Sequence, residues 1–560
     1  MLCRVLEEGM SLLTGMQSER KTSFEASIAA LDGVKKSCEK KFHEVYWRDV
    51  KSHWRRLYTD ALILKASLSF EAFATGPSNQ EGQRLSDSER DRSSCGVEEG
   101  DTIALNEAIR CLDLTLIVAG APGYGRKELV HKLIDECQHR LRMMRSTEDQ
   151  EDASRKSRKR IRLDSAEELT EQTANIGGTL SPSFAGPLRA TKRIREMPSA
   201  PTLSKFEKEL RERGPFVLRN YADDWPALQP YCGSTAGSSR WAEGQHLIVA
   251  AGGPGRVVPV EVGDQYDDPD WGQQILPWSE FLGKCRWRGV EETKPKTEDS
   301  RFKKLYLAQY SLFDQFPALE RELIVPDYVF SAPSAPSYMP SYRPPVRAVV
   351  DVGDPDSTET QSTETRYEEY FVKSAWLGPA GVTSPAHTDP YYNCYVQVVG
   401  RKLVWIAPPE AGRGNAMYCH GARTPSPPPI DGDDEAAEDS EVALVGNGDS
   451  GECQSISPTP AYSSTEAEGI DVTAYMTNTS QVDVFGPRPT VEDPHRLFTD
   501  RVEPMAAWTI LEPGDMLCMP PGWWHAMRTL TRVSHTVMKA DHAGISRRYK
   551  EIELTTWSRI

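Results

Sequence analysis

Apolar residues recur at every third or fourth position through two early stretches, HEVYWRDVKSHWRRLYTDALILKASLSFEAF (43–73) and DTIALNEAIRCLDLTLIVAG (101–120). Val45, Val50, Trp54, Leu57 and Leu62 fall on one such stripe. This spacing predicts amphipathic helices packed as a bundle over residues 1–145. Residues 75–100 are polar, without a period, and read as a loop. From residue 198 the pattern shortens. PFVLRN, HLIVAAG, RVVPVEV, KLYLAQY, YFVKSAWLG, YVQVVGRKLVWIAPP, AAWTILEPGDMLCMPPGWWHAMRTL and RVSHTVMKA alternate with Gly and Pro turns. Many short strands of this kind predict an all-β barrel or sandwich, entered through a short helix at TLSKFEKELRERG (202–214). The fold class expected is therefore α+β and multidomain.

Two segments break the pattern. Residues 146–197 are charged, poor in apolar side chains and rich in Ser, Thr and Pro, which predicts a disordered basic linker. Residues 411–470 interrupt the β domain (198–545) with TPSPPPIDGDDEAAEDSE and more Ser, Pro and Gly, too polar to fold and too long for an ordinary loop. A polar tail, 546–560, follows.

Charge sharpens this division. The formal net charge is -16, but twelve carboxylates lie between Asp431 and Asp471. Without them the chain is near neutral at about -4. Nothing global favours binding nucleic acid through its phosphates, so nucleic acid is not expected as a direct substrate. The linker does carry RKSRKRIR, Arg155–Arg162. That run reads either as a nuclear import signal or nucleic-acid contact, or as a solvated charge run. The expected location is the nucleus, with the cytoplasm as a second place.

Eleven cysteines are scattered without a Cys-x-x-Cys pair, which argues against a zinc ribbon and a disulfide framework. The start, MLCRVLEEGMSLL, lacks the long apolar core of a signal peptide, and no run is long enough to span a bilayer. An intracellular, reduced protein with no membrane partner is expected. GAPGYGRKELVHKL (120–133) resembles a phosphate-binding loop, but its Lys comes one place late and Glu128 occupies the hydroxyl position. A turn between two helices, with no nucleotide at 120–128, is the better reading.

Candidate chemistry sits in SPAHTDPYYN (384–393). Residues two apart on a strand share a face, so His387 and Asp389 aim an imidazole and a carboxylate at one point. They form two thirds of a 2-His-1-carboxylate triad, which leaves positions on iron(II) for a cosubstrate and O2. The third ligand must come from a later strand. His525 fits, in LEPGDMLCMPPGWWH, with Trp523 and Trp524 expected to shield the metal. His420, His495 and His535 compete with it but lack such a setting. Lys402 is expected on the next inward strand, where a buried cation needs an anion such as the far carboxylate of 2-oxoglutarate. Asn393 and Tyr306 could donate hydrogen bonds, or be a turn Asn and a core Tyr.

These segments resemble the JmjC-domain 2-oxoglutarate oxygenases, and within that family the branch represented by JmjC domain-containing protein 5, whose enzymes are lysine demethylase-like or arginyl hydroxylase-like. The resemblance runs over WLGPAGVTSPAHTDPYYNCYVQVVGRKLVWIAPP, NTSQVDV and LEPGDMLCMPPGWWH, and upstream over PFVLRNYADDWPAL, VVPVEVGDQYDDPDW and YLAQYSLFDQFPAL. It covers about 198–538, less the insertion. It implies a double-stranded β-helix, or cupin-type jelly roll, with iron at His387, Asp389 and His525. It implies 2-oxoglutarate held by Tyr306, Ser384, Asn393 and Lys402, with Trp376 lining the pocket. Glu261, Tyr266 and Gln309 match positions that face the substrate. The activity implied is a dioxygenase on a protein or peptide, hydroxylating an Arg or similar side chain, with demethylation of lysine, including histone lysine, as the alternative. A non-catalytic scaffold that uses the barrel only to bind partners is the alternative of another class.

Overall fold

Side-chain alternation divides the strands of the second half between separate apolar clusters, and this division builds the barrel. The computed structural model describes residues 20–45, 49–74, 102–157, 188–231, 238–263, 271–290, 304–331, 333–340, 342, 346–350, 365–369, 371–419, 478–488, 493–531 and 533–541. Strand β11 (Asn393–Val399) sends Tyr395 to an inner cluster with Val404, Ile406, Leu517, Met519 and Met527. Its neighbours Cys394, Val396 and Val398 join a larger outer cluster. Strand β12 (Lys402–Ala407) turns Val404 and Ile406 inward, and Leu403, Trp405 and Ala407 into a third cluster. Every residue of both strands but Lys402 and two others, Asn393 and Gln397, is apolar, as strands covered on both faces require.

Two sheets face each other. One has the order β1 (Lys192–Arg193), β13 (Ala507–Leu511), β12, β15 (Trp524–Thr529), β10 (Thr383–Thr388). The other runs β2 (Glu196–Met197), β3 (Phe216–Leu218), β14 (Met516–Met519), β11, β16 (Val533–Asp541), β9 (Phe371–Pro379), β6 (Leu305–Tyr310), β4 (Val257–Val262), β5 (Gly272–Pro277). β7 (Val346–Val350) and β8 (Thr365–Glu369) form a separate hairpin. The two sheets make the cupin-type sandwich expected from the strand pattern.

The first part is helical: α1 (Arg20–Glu44), α2 (Ser52–Ala74), α3 (102–114, continuing as a π turn through Thr115–Ala119) and α4 (Arg126–Ser157). Leu31, Val34, Tyr58, Leu62, Leu105, Ile109, Leu112, Val130 and Ile134 form its core. The stripe read across 43–73 is broken between α1 and α2, which leaves Val45 47% exposed. The turn at 120–125 joins α3 to α4, and the cations that open α4 are paired: Arg126 with Asp60 at 2.6 Å and Lys127 with Asp314 at 2.6 Å. Among the described residues, a buried ion pair ties the helices to the barrel. The Asp113 carboxylate accepts from Arg256 Nη2 at 2.7 Å and from the Val257 amide at 2.9 Å, at the start of β4.

Several sequence readings differ from the structure. The insertion expected from 411 begins later, because Ala411, Ala416 and Met417 are buried in the third cluster. Residues 146–157 continue α4, and 188–197 supply β1 and β2, so the linker is shorter than 146–197 at both ends. Each short strand pairs in parallel with a barrel strand, β1 with β13 and β2 with β3, and this pairing overrides the polar composition. HLIVAAG is not a strand but part of a helix, Gly244–Ala250. It buries Leu247 and leaves Val249 63% exposed, so only one side of the segment meets the core. Residues 75–101, 158–187, 420–477 and 542–560, with most of the loop, linker, acidic insertion and tail, lie outside the described residues. Among the described residues, no helix is long and apolar enough to cross a membrane.

Candidate metal centre and anion pocket

Strand register brings the two histidines together. His387 on β10 is the direct cross-strand partner of His525 on β15, and their rings lie 4.3 Å apart between centroids. Asp389 follows β10 by one residue, where its carbonyl accepts from the Gly522 amide at 2.7 Å. The Pro-Pro-Gly turn before β15 is thus tied to the chain that carries the carboxylate. One ligand atom from each of His387, Asp389 and His525 lies within 4.8 Å of the others. This is the only such three-residue cluster of His, Cys, Asp or Glu among the described residues.

The outer contacts prepare these groups as ligands. His387 Nδ1 donates to the Pro385 carbonyl at 2.8 Å, and His525 Nδ1 to the Trp523 carbonyl at 3.1 Å. With Nδ1 protonated, each Nε2 keeps a lone pair for a metal. Asn393 Nδ2 donates to Asp389 Oδ2 at 2.9 Å, and the same oxygen lies 3.5 Å from His525 Nε2. Burial, with repulsion from His525, pulls His387 down to about 4. Burial works against the Asp389 charge, but His525 and the Asn393 amide outweigh it and hold the carboxyl at about 2. Burial also opposes charge on His525, and the Asp389 carboxylate overrides it and raises the imidazole. An ionised carboxylate and at least one neutral imidazole are the forms a divalent metal takes.

A second polar group lies in the same interior. Lys402 is 2% exposed and begins β12, on the inward side shared with Val404 and Ile406. Its Nζ lies 3.3 Å from Tyr306 Oη, and over the rings of Tyr306 and Tyr395 at 5.6 and 5.8 Å. No carboxylate pairs with it among the described residues, and burial brings it down to about 7. A buried lysine without a carboxylate partner is a candidate anion site. Tyr306 is pushed above its ordinary range by burial, opposed by a hydrogen bond with Ser384 and assisted by the charge of Glu261. Its ring lies on Gly378, where a Cβ would come within 2.7 Å of Cδ2. By contrast, Arg401 faces outward and pairs with Glu512 at 2.7 Å.

Ser384 reaches this interior through a bulge. It opposes Met527, while His387 opposes His525, so three residues of β10 span two of β15. Simple alternation would send Ser384 to the opposite face from His387. The extra residue restores it, and Pro385 is the sequence signal for the irregularity. Trp376, half-buried on β9, packs against the inner cluster. Glu261 on β4 is the cross-strand partner of Tyr306. Gln309 occupies a second bulge, between Leu307 and Tyr310, with φ at 45°. Non-glycine residues avoid this conformation, and such strain gathers at functional positions. Tyr266 lies outside the described residues.

The shield expected from both tryptophans is corrected. Trp524 alternates away from His525 and packs in the third cluster with Trp405 and Leu403. Only Trp523 lies beside the inner cluster. His495 packs against Tyr418 at 4.7 Å, away from the triad. The segment 478–480 closes over β10: Thr388 N donates to the Asn478 carbonyl at 3.2 Å, and Ser480 N to that of Ala386 at 2.8 Å.

Sequence comparisons find relatives of this chain among known proteins. The model of the cupin-like domain matches residues 202–539. Jumonji C domain-containing protein 5 of Drosophila melanogaster is 28% identical over 336 residues, which cover 59% of this chain and 55% of that protein. Lysine-specific demethylase JMJ30 of Arabidopsis thaliana is 25% identical over 506 residues, 90% of this chain and 83% of the relative. Lysine-specific demethylase 8 of Danio rerio is 24% identical over 377 residues, 67% of each. The matched chain spans little more than half the length of the fly relative.

Proposed function

We propose that this chain, which belongs to the cupin-like domain family, is a JmjC-type iron(II)- and 2-oxoglutarate-dependent dioxygenase that acts on a protein side chain. The carrying observation is the pairing of a His-Asp-His cluster with a buried, uncompensated lysine in one barrel interior. Two imidazoles and one carboxylate suit iron(II) with positions left open. The lysine suits the far carboxylate of a 2-oxo acid. When bound, iron(II) and 2-oxoglutarate supply the oxidising chemistry that puts one atom of O2 into a C–H bond.

The protein's part is to hold and to orient. His387, Asp389 and His525 hold the metal, and the two carbonyls of Pro385 and Trp523 fix their imidazole tautomers. Asn393 steers the Asp389 carboxylate through its amide, and its Oδ1 is buried without a partner. Lys402, Tyr306 and Ser384 receive the cosubstrate, and Trp376 walls it from solvent. Glu261, close enough to perturb Tyr306, offers a carboxylate to an incoming cation. With Gln309 and Tyr266 it forms the substrate-facing set.

An arginyl or similar side chain is the favoured target, and hydroxylation the favoured outcome. A carbon bound to a methylated nitrogen would instead lose the methyl, as the names of two relatives suggest for lysine. Peptide pools containing arginine or methyl-lysine, incubated with the protein, iron(II), ascorbate and 2-oxoglutarate, separate the two. Gain of one oxygen atom supports hydroxylation, and loss of one methylene unit supports demethylation. Failure of the wild type to bind either iron or 2-oxoglutarate would leave the scaffold reading.

A further inference from the structure

We infer that the Thr529 hydroxyl is a further anchor for the distal carboxylate of the 2-oxo acid, beside Lys402; this rests on the oxygenase reading above. Thr529 ends β15 and is the direct cross-strand partner of Lys402 at the start of β12. Directly opposed residues place their side chains on one face, about 4.5–5.5 Å apart at Cβ. Alternation along β15 gives Thr529 the inward side of Met527 and His525. It is 2% exposed.

The hydroxyl has no structural task among the described residues. Its main chain is already engaged: Thr529 N donates to the Val382 carbonyl at 2.9 Å, and Gly381 N to the Thr529 carbonyl at 2.9 Å. The side-chain Oγ1 is buried without a hydrogen-bond partner. Valine would fill the same volume without stranding a polar atom, so a hydroxyl here points to a ligand. A carboxylate accepts about four hydrogen bonds. Lys402 and Tyr306 supply two donors to one place, 3.3 Å apart. Thr529 adds a third from the neighbouring strand. Four residues of strand, about 13 Å at the usual rise, separate Thr529 from His525. A metal and a five-carbon dioate, with the side chains at either end, bridge such a gap.

Calorimetric titration of the full chain loaded with manganese(II) tests this. The probes are 2-oxoglutarate and 2-oxopentanoate, which keeps the chelating end but carries a methyl in place of the distal carboxylate. Thr529→Val should weaken 2-oxoglutarate roughly tenfold or more and leave 2-oxopentanoate unchanged, while Thr529→Ser should retain wild-type affinity. Equal 2-oxoglutarate binding by Thr529→Val and wild type would overturn the inference. So would an equal loss for both acids, which would mark a packing effect. A wild type that binds no 2-oxoglutarate would refute the oxygenase reading itself, and the inference with it.

Discussion

Replacing Lys402 with methionine should make the protein more stable and unable to hold 2-oxoglutarate. The side chain is 2% exposed, and its ammonium is brought from the ordinary 10.5 to about 7 by burial. At roughly 1.4 kcal/mol per pH unit, charging it in the folded state costs about 4 to 5 kcal/mol. Between about 7 and 10.5 the unfolded chain holds a proton that folded Lys402 has lost. Wild-type stability therefore rises with pH through that window; the penalty is full below it and gone above it. Methionine keeps the apolar stem and removes the charge, so Lys402→Met should gain about 4 kcal/mol at neutral pH and lose that part of the pH dependence. Urea unfolding followed by tryptophan fluorescence, at neutral pH and near pH 10, measures both. A 2-oxoglutarate titration completes the test. Wild-type affinity should fall as pH rises past about 7, where the ammonium is lost, and the variant should bind weakly throughout. A variant no more stable than wild type at neutral pH would refute the reasoning.

Three further outcomes follow, two from other parts of the structure and one from the sequence. Gly378→Ala puts a Cβ 2.7 Å from the Tyr306 ring; it should raise the KM for 2-oxoglutarate while the fold is kept, and an unchanged KM would contradict the placement of Tyr306. Asp113→Ala strands the buried Arg256 and should cost about 3–5 kcal/mol; a loss below about 1 kcal/mol in urea unfolding would show that this pair does not hold the helices to the barrel. If RKSRKRIR is the import signal that its charge suggests, changing its basic residues to alanine moves a fluorescently tagged chain out of the nucleus, and unchanged nuclear signal would end that reading.

The triad was legible from its setting, a His-x-Asp triplet in SPAHTDP and a later His that follows a Pro-Pro-Gly turn. The period of two linked His387 to Asp389, although Asp389 lies one residue past β10; the Pro-Pro-Gly turn marked His525, and Lys402 stood out as a cation in a run of Val, Leu, Trp and Ile. Asn393 begins β11, a turn away from β10, so the period of two does not tie it to His387. Ser384 was out of reach of periodicity, because the bulge at Pro385 and Ala386 shifts the face. The same rule, applied to Trp524, would have excluded it as a shield, because neighbours on a strand point apart. HLIVAAG shows the opposite limit. Its β-branched content suggests a strand, but it buries Leu247 and Ala251, four residues apart, which is the spacing of a helix face. β1 and β2 are two residues each and too short for any pattern. The positive φ at Gln309 has no sequence signal at all.

Succinate formation from 2-oxoglutarate by purified protein with iron(II) and ascorbate tests the central claim most directly, read beside His387→Ala. The account predicts turnover by the wild type and none by the variant, whose cluster loses one of its three ligand groups. Equal turnover by both proteins, or none by a wild type shown to be folded and iron-loaded, would contradict it.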